Sequence, residues 1–126
     1  MMQSANDTLE ATLNARGAEL TEIYASRAQL QVAQAATELQ AARLMVYNAT
    51  RLKDAGLPFA EEAAMAKWWC TELQKKVADQ CVQLHGGYGY MNEYAVGRAY
   101  TDARVTSIYG GTTEIMKEII GRSLGV

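Results

Sequence analysis

Apolar residues recur at alternating spacings of three and four residues through the middle of the chain. This is the period of an amphipathic helix, and it predicts a helix from Arg27 to Gly56, about 28 residues long. Gly56 suits the left-handed residue that follows a helix, and Pro58 prevents continuation. The apolar stripe consists of Val32, Ala35, Leu39, Ala42, Val46 and Ala49.

A second helix is predicted from Ala60 to Leu84. Two long helices joined by a short connection should pack antiparallel, as in half of a helical bundle. Glu72 and Lys76 stand four residues apart in the favourable order for an ion pair. The apolar stripe consists of Ala66, Trp69, Leu73, Val77, Cys81 and Leu84. Trp68 lies off this stripe and is expected to meet another helix or subunit.

The two ends of the chain have weaker patterns. Gln3–Tyr24 is helix-prone but polar, and Gly17 interrupts its few apolar residues, so it is predicted as a separate helix. Periodicity also breaks at His85–Glu93, which is too rich in glycine for a helix interior. A short helix is then expected over Tyr94–Val105, followed by a turn over Thr106–Gly111. The last helix should begin near Gly111 or Thr112, and its apolar face consists of Ile115, Met116, Ile119 and Ile120.

Composition narrows the function classes. A chain of 126 residues supports one compact domain, and a net charge of −2 gives no electrostatic case for nucleic acid. Neither a membrane span nor a signal peptide is visible, so a cytoplasmic location is expected. Cys70 and Cys81 are too far apart along one helix for a disulfide, and one histidine without a CxxC pair does not indicate a metal site.

Two glycine-containing segments are the candidates for chemistry. In His85–Tyr90, consecutive glycines allow close backbone approach and positive φ, which suit either a plain turn or a cradle for phosphate oxygens. Tyr109–Glu114 leads into a helix N-terminus, which suits either a simple cap or an anion site. The Rossmann and Walker patterns are both absent. The residue types alone leave both alternatives open at each segment.

Six segments taken together closely resemble the C-terminal domain of acyl-CoA dehydrogenases. The resemblance extends over about Arg27–Leu124, so the chain divides into a poorly matched helical segment, 1–26, and the helical domain, 27–126. It implies an all-α fold resembling an up-down four-helix bundle. The six segments are Ala36–Arg43, Arg51–Gly56, Met65–Trp68, Cys81–Tyr90, Asp102–Val105 and Ile108–Lys117.

The resemblance also implies a reaction and its participants. The reaction is α,β-dehydrogenation of an acyl-CoA thioester by FAD, with electron-transfer flavoprotein as the electron acceptor and a homo-oligomer, dimer or tetramer, as the assembly. Gln83, Gly86 and Gly87 match a loop that contacts FAD across a subunit interface. Thr112 and Glu114 match contacts near the FAD phosphates. The wall beside the thioester and flavin is matched by Tyr109, Gly110 and Gly111.

The chain departs from the family pattern at the catalytic base. Many members have a glutamate at the position of Gly110, whereas a long-chain and isovaleryl-type subset has glycine there and takes its base from an earlier helix. Residues 1–26 do not resemble that helix, so no catalytic base is identified and the isolated chain is expected to be inactive. One alternative is a helical-bundle module for oligomerisation or binding, without redox chemistry. Another is a relative such as an acyl-CoA oxidase or flavin monooxygenase.

Overall fold

The computed structural model describes residues 2–126, and this part of the chain is all-α, as predicted, with no β-strand. A 3₁₀ helix, Gly86–Tyr90, directly follows the second of four α-helices. The α-helices are α1 (Met2–Asp54), α2 (Ala60–His85), α3 (Ala95–Val105) and α4 (Thr113–Leu124). No helix within these residues is both long enough and apolar enough to cross a membrane.

The first helix, α1, is continuous over 53 residues. The prediction of separate helices for Gln3–Tyr24 and Arg27–Gly56 is therefore wrong. Gly17 lies within α1, because one glycine in a helix interior costs only about 1 kcal/mol relative to alanine. The chain forms two compact units, one up to Gln34 and one from Ala35 to Val126. In the first unit, the large apolar side chains from Leu9 to Leu30 are all more than half exposed.

The C-terminus of α1 has the predicted glycine cap. Gly56 takes a φ of +69°. Its N–H donates to the carbonyl of Lys53 at 3.0 Å, and the N–H of Leu57 donates to the carbonyl of Leu52 at 3.0 Å. This pair of hydrogen bonds is the Schellman arrangement, which satisfies carbonyls that a helix end would leave without donors.

Within the second unit, the C-terminal part of α1 packs antiparallel to α2, as predicted. Lys76 of α2 pairs with Glu38 of α1 at 2.7 Å. Farther along, the Sγ atom of Cys70 lies 3.9 Å from the carbonyl oxygen of Ala42. The spacing along α2 predicted that Lys76 would pair with Glu72. Lys76 instead joins α2 to α1. Glu72 pairs with Lys75 at 2.9 Å.

The last helix, α4, also runs antiparallel to α2. Near its start Thr113 donates to Glu72 at 2.8 Å, and near its end Ser123 donates to Glu61. Trp68 meets α4 as predicted, because the Nζ atom of Lys117 lies 4.9 Å from the centre of a Trp68 ring. The turn between α3 and α4 is attached to Lys67 of α2. Helix α2 is thus the central element of this unit.

Small residues dominate the buried positions of this unit. Small side chains let helix backbones approach closely, but they remove little apolar surface from water. Among the described residues, no large side chain is fully buried, and Trp69 of the predicted stripe is 43% exposed. The buried apolar residues are Ala42, Ala49, Ala64, Ala66, Ala103, Leu73 and Met116. Much apolar surface therefore remains available to other surfaces.

Two glycines are required by close packing around the end of α2. A Cβ added at Gly89 would lie 2.6 Å from the carbonyl oxygen of Val82. A Cβ at Gly97, in the first turn of α3, would lie 2.4 Å from the carbonyl oxygen of Met91. Both neighbours are backbone atoms, which cannot move aside as a flexible side chain can. Gly89 and Gly97 thus fix how the 3₁₀ helix and α3 pack.

We expect Gly97→Ala to lower the free energy of unfolding by about 1–3 kcal/mol, the usual range for overpacking. The reason is the contact of the new Cβ with the main chain at Met91. Urea unfolding followed by circular dichroism measures the change. Gly87→Ala is the control, because a Cβ at Gly87 meets nothing within 4 Å. Equal stability of the two variants would contradict this role for Gly97.

Candidate functional site

The first candidate segment lies at the C-terminus of α2. Gln83 is exposed there, and its carbonyl accepts a hydrogen bond from the N–H of Gly86, which has a φ of +63°. The Nδ1 atom of His85 donates to the carbonyl of Cys81 at 2.7 Å. This hydrogen bond holds the imidazole of His85 against the last turn of α2. The segment forms a 3₁₀ turn, which the glycine content alone did not reveal.

The glycines of this segment differ in why the fold needs them. Gly86 is favoured by its left-handed φ, and Gly89 by its contact with α2. Neither reason applies to Gly87, which is exposed, has no left-handed φ and has open space where a Cβ would be. The internal packing of the chain therefore gives no reason for glycine at position 87. A surface outside this chain would provide one.

The second candidate segment is the turn before α4. Gly110 and Gly111 have φ values of +64° and +103°, which favour glycine at both positions. The hydroxyl of Thr112 caps α4 by accepting a hydrogen bond from the N–H of Ile115 at 3.3 Å. The predicted start of the last helix is confirmed. Tyr109 is 59% exposed beside these glycines.

The carboxylate of Glu114 lies at the positive end of the α4 dipole. Its pKa is lowered from the ordinary value, first by a hydrogen bond from its own backbone N–H and then by one from the hydroxyl of Thr112. A helix N-terminus stabilises negative charge through free amides and the dipole, and the lowered pKa reflects that preference. Donors suited to an anion are therefore present here, and they favour the charged form of the Glu114 carboxylate.

Two residues of α2 hold this turn in place. The Nζ atom of Lys67 donates to the carbonyls of Thr106 at 2.9 Å and Gly111 at 2.6 Å. The carboxylate of Glu72 accepts from Thr113, and the hydrogen bond from Lys75 is the largest cause of its lowered pKa. The sequence pattern indicates an ion pair of Glu72 with Lys76 and assigns no contact to Lys67. No local pattern identifies either residue, because their partners are about 40 positions away.

The two candidate segments do not meet within one chain. Gln83 and Gly86 lie at the C-terminus of α2, whereas the turn with Gly111 is attached at Lys67. Lys67 and Gln83 are 16 positions apart on α2, which corresponds to about 24 Å along a helix. Tyr109, Gly110, Gly111, Thr112 and Glu114 do lie together as one continuous turn and helix start. The predicted site therefore consists of two separate halves.

Comparison with known proteins identifies the fold and the family. Residues 1–125 match the family described as acyl-CoA dehydrogenase, C-terminal domain. The chain belongs to the acyl-CoA dehydrogenase family. The match includes residues 1–26, which contain none of the six family-like segments.

Individual relatives support the same assignment. The long-chain specific acyl-CoA dehydrogenase of rat mitochondria is 46% identical over 104 residues, which are 82% of this chain and 24% of that protein. An acyl-CoA dehydrogenase from Geobacillus kaustophilus superposes with a TM-score of 0.76 at 47% identity, over 78% of this chain and 26% of that one. An FAD complex of PigA gives a TM-score of 0.67 at 32% identity, over 70% and 23% of the two chains. This chain thus spans about a quarter of these relatives.

In this acyl-CoA dehydrogenase domain, Gly110, which the resemblance matches to the base position of many members, has no functional side chain. The nearby carboxylates are engaged elsewhere, Glu72 with Lys75 and Thr113, and Glu114 with its own amide. Within residues 2–126, no cluster of three or more histidine, cysteine or acidic side chains is placed to hold a metal ion.

Glu72 is expected to make the domain sensitive to acid. Because its folded-state pKa is below the ordinary value of 4.5, its stabilising effect is complete above about pH 4.5 and is lost as the pH falls through the folded-state value. Glu72→Gln should therefore lose less stability than the wild type between pH 6 and pH 3.5. Its side chain is 41% exposed, so solvent screening limits the difference to about 1 kcal/mol.

Urea unfolding at the two pH values measures this difference. Lys75→Met tests the cause, because it keeps the carboxylate and removes its main hydrogen-bond donor. That variant should also lose less stability on acidification than the wild type does. The assignment fails if Glu72→Gln and the wild type lose the same amount.

Proposed function

We propose that this chain is the FAD-contacting C-terminal domain of an enzyme that dehydrogenates acyl-CoA thioesters between the α and β carbons. Family membership supports the reaction class, and the FAD complex of PigA supports the cofactor. The observation that carries the proposal is Gly87, whose glycine identity no contact or backbone angle within the chain explains. A flavin against this exposed turn would account for it.

The separation of the two half-sites supports a flavin shared between subunits. In this proposal, Gln83, Gly86 and Gly87 of one chain contact a flavin whose phosphates lie near Thr112 and Glu114 of another. Backbone amides and a helix N-terminus are suited to phosphate oxygens. The exposed apolar side chains, such as Trp69, offer surface for the homo-oligomer that this sharing requires.

The chemistry divides between cofactor and protein. When bound, FAD supplies the hydride acceptor for the β hydrogen. In this proposal, Tyr109, Gly110 and Gly111 form the wall beside the thioester, and the two glycines leave room for close approach of the substrate. The proton on the α carbon requires a base that does not come from position 110. Electron-transfer flavoprotein is the proposed electron acceptor of the assembled enzyme.

We expect the 126-residue chain alone to bind FAD weakly and to show no acyl-CoA dehydrogenase activity. Each half-site provides only part of the cofactor contacts, and no base has been identified. Flavin absorbance after purification, FAD titration and an acyl-CoA assay with an artificial electron acceptor measure these properties. Light scattering reports the mass and should show a dimer or a larger oligomer. Turnover by the chain alone would contradict the predicted lack of activity. A monomer at all concentrations would contradict the predicted oligomer.

Gly87→Ala is expected to weaken FAD binding about tenfold, equivalent to about 1.4 kcal/mol, without loss of stability. The added methyl group meets nothing within the chain but would stand between the turn and the cofactor. Replacing glycine where its conformation suits alanine usually stabilises a fold by about 0.4–1 kcal/mol. FAD titration and urea unfolding on the same samples separate the two effects. An unchanged FAD affinity would remove Gly87 from the flavin site.

The exposed apolar surface also favours a second candidate, a helical module that acts only in oligomerisation or binding. A chain with no fully buried large side chain among its described residues has much surface to cover. The experiments above discriminate between the two. A stable oligomer without measurable affinity for FAD would favour the binding module.

A further inference from the structure

Lys67, which lies in the family-like segment Met65–Trp68, makes a contact that the proposed flavin contacts do not explain. It lies on the central helix α2 and is partly buried. Its ammonium group donates to two main-chain carbonyls, those of Thr106 and Gly111, at 2.9 and 2.6 Å. The two acceptors lie at opposite ends of the turn that contains Tyr109 and Gly110. One cation therefore holds the two ends of this turn together.

The N–H of Tyr109 donates to the carbonyl of Val105 at 3.2 Å and the side chain of Met116 lies against Gly111, but Gly110 between them has no such contact. Gly110 and Gly111 are the most conformationally permissive residue type, and the space beside Gly110 is open. Apart from Lys67, one backbone hydrogen bond, from the N–H of Thr113 to the carbonyl of Ser107 at 3.2 Å, spans the turn. Hydrogen bonds to a charged group contribute about 1.5–3 kcal/mol, roughly twice as much as neutral ones.

The clamp also determines which way a main-chain donor points. In a trans peptide, the C=O and the following N–H point in opposite directions. Since the carbonyl of Gly111 points to Lys67, the N–H of Thr112 points away from α2. The same ammonium that fixes the turn thus presents this amide outward at the start of α4, beside the capping hydroxyl of Thr112.

We propose that Lys67 is a positioning residue for the flavin-binding turn. By binding the carbonyls of Thr106 and Gly111, it sets the backbone of residues 109–112 so that the Thr112 amide faces an anionic phosphate group of the cofactor. This role rests on the proposed function for its ligand. The clamp itself is testable without any ligand.

The test uses the full chain and three lysine variants. Lys67→Met keeps the length of the side chain but removes the ammonium, and Lys67→Arg keeps the charge. Lys76→Met is the matched control, because Lys76 also lies on α2 and joins another element through Glu38, away from the turn. Amide hydrogen exchange by NMR at Thr113 reports on the hydrogen bond that spans the turn, FAD titration reports on affinity, and circular dichroism reports on the fold.

The proposal predicts a different result for each variant. Lys67→Met should raise the exchange rate at Thr113, whose N–H donates to Ser107 across the turn, at least tenfold and weaken FAD binding at least fivefold. Lys67→Arg should restore part of both. Lys76→Met should leave both at wild-type values even if it lowers overall stability. If Lys67→Met does not fold, Lys67→Gln, which keeps a shorter donor, should show the same local increase in exchange.

The possible failures are distinguishable. If the wild-type chain does not bind FAD, the proposed cofactor site fails, and the exchange measurements still decide whether Lys67 clamps the turn. If exchange at Thr113 is the same in the wild type, Lys67→Met and Lys67→Gln, the clamp is wrong. If exchange rises in Lys67→Met but FAD affinity does not change, Lys67 stabilises the turn without positioning a cofactor, and the proposal is overturned.

Discussion

Close packing of main chains against α2 determines where every other element of residues 35–126 lies. Alanines occupy most of the buried positions, and Gly89 and Gly97 allow contacts that a single methyl group would prevent. Dense packing leaves few adjustable gaps, so the positions of the neighbouring segments follow from these small residues. Polar contacts from Lys67 and Glu72 then fix the turn before α4 on the same helix.

The same construction leaves much apolar surface exposed. A core of small residues removes limited apolar area from water, and large apolar side chains remain exposed on all the α-helices. Oligomerisation or contact with further parts of an acyl-CoA dehydrogenase would bury this surface. The two half-sites lie at different positions along α2. One chain therefore offers only half of each proposed flavin environment. In the proposed function, completing the flavin site and burying this apolar area would both need a second surface.

Sequence patterns were sufficient for most helix positions because the relevant signals are local. Gly56, Thr112 and the alternating apolar positions act within a turn or two of helix, so the end of α1, the start of α4 and the extent of α2 were predicted correctly. The prediction of a separate N-terminal helix is wrong, because a single glycine such as Gly17 does not end a helix. The Glu72–Lys76 pair was also wrong, since Lys76 has a closer partner in Glu38 on a neighbouring helix.

The sequence by itself determined the all-α class, the family and the two glycine segments, because these depend on local periodicity and on motifs that stay in order along the chain. Tertiary structure decided how the residues of those segments are packed and held. It showed that Gly89 serves packing whereas Gly87 does not, that the two half-sites are separated along α2, and that Lys67 holds the turn before α4. These features arise from contacts between residues far apart in the chain. Such contacts leave no regular spacing from which they can be predicted.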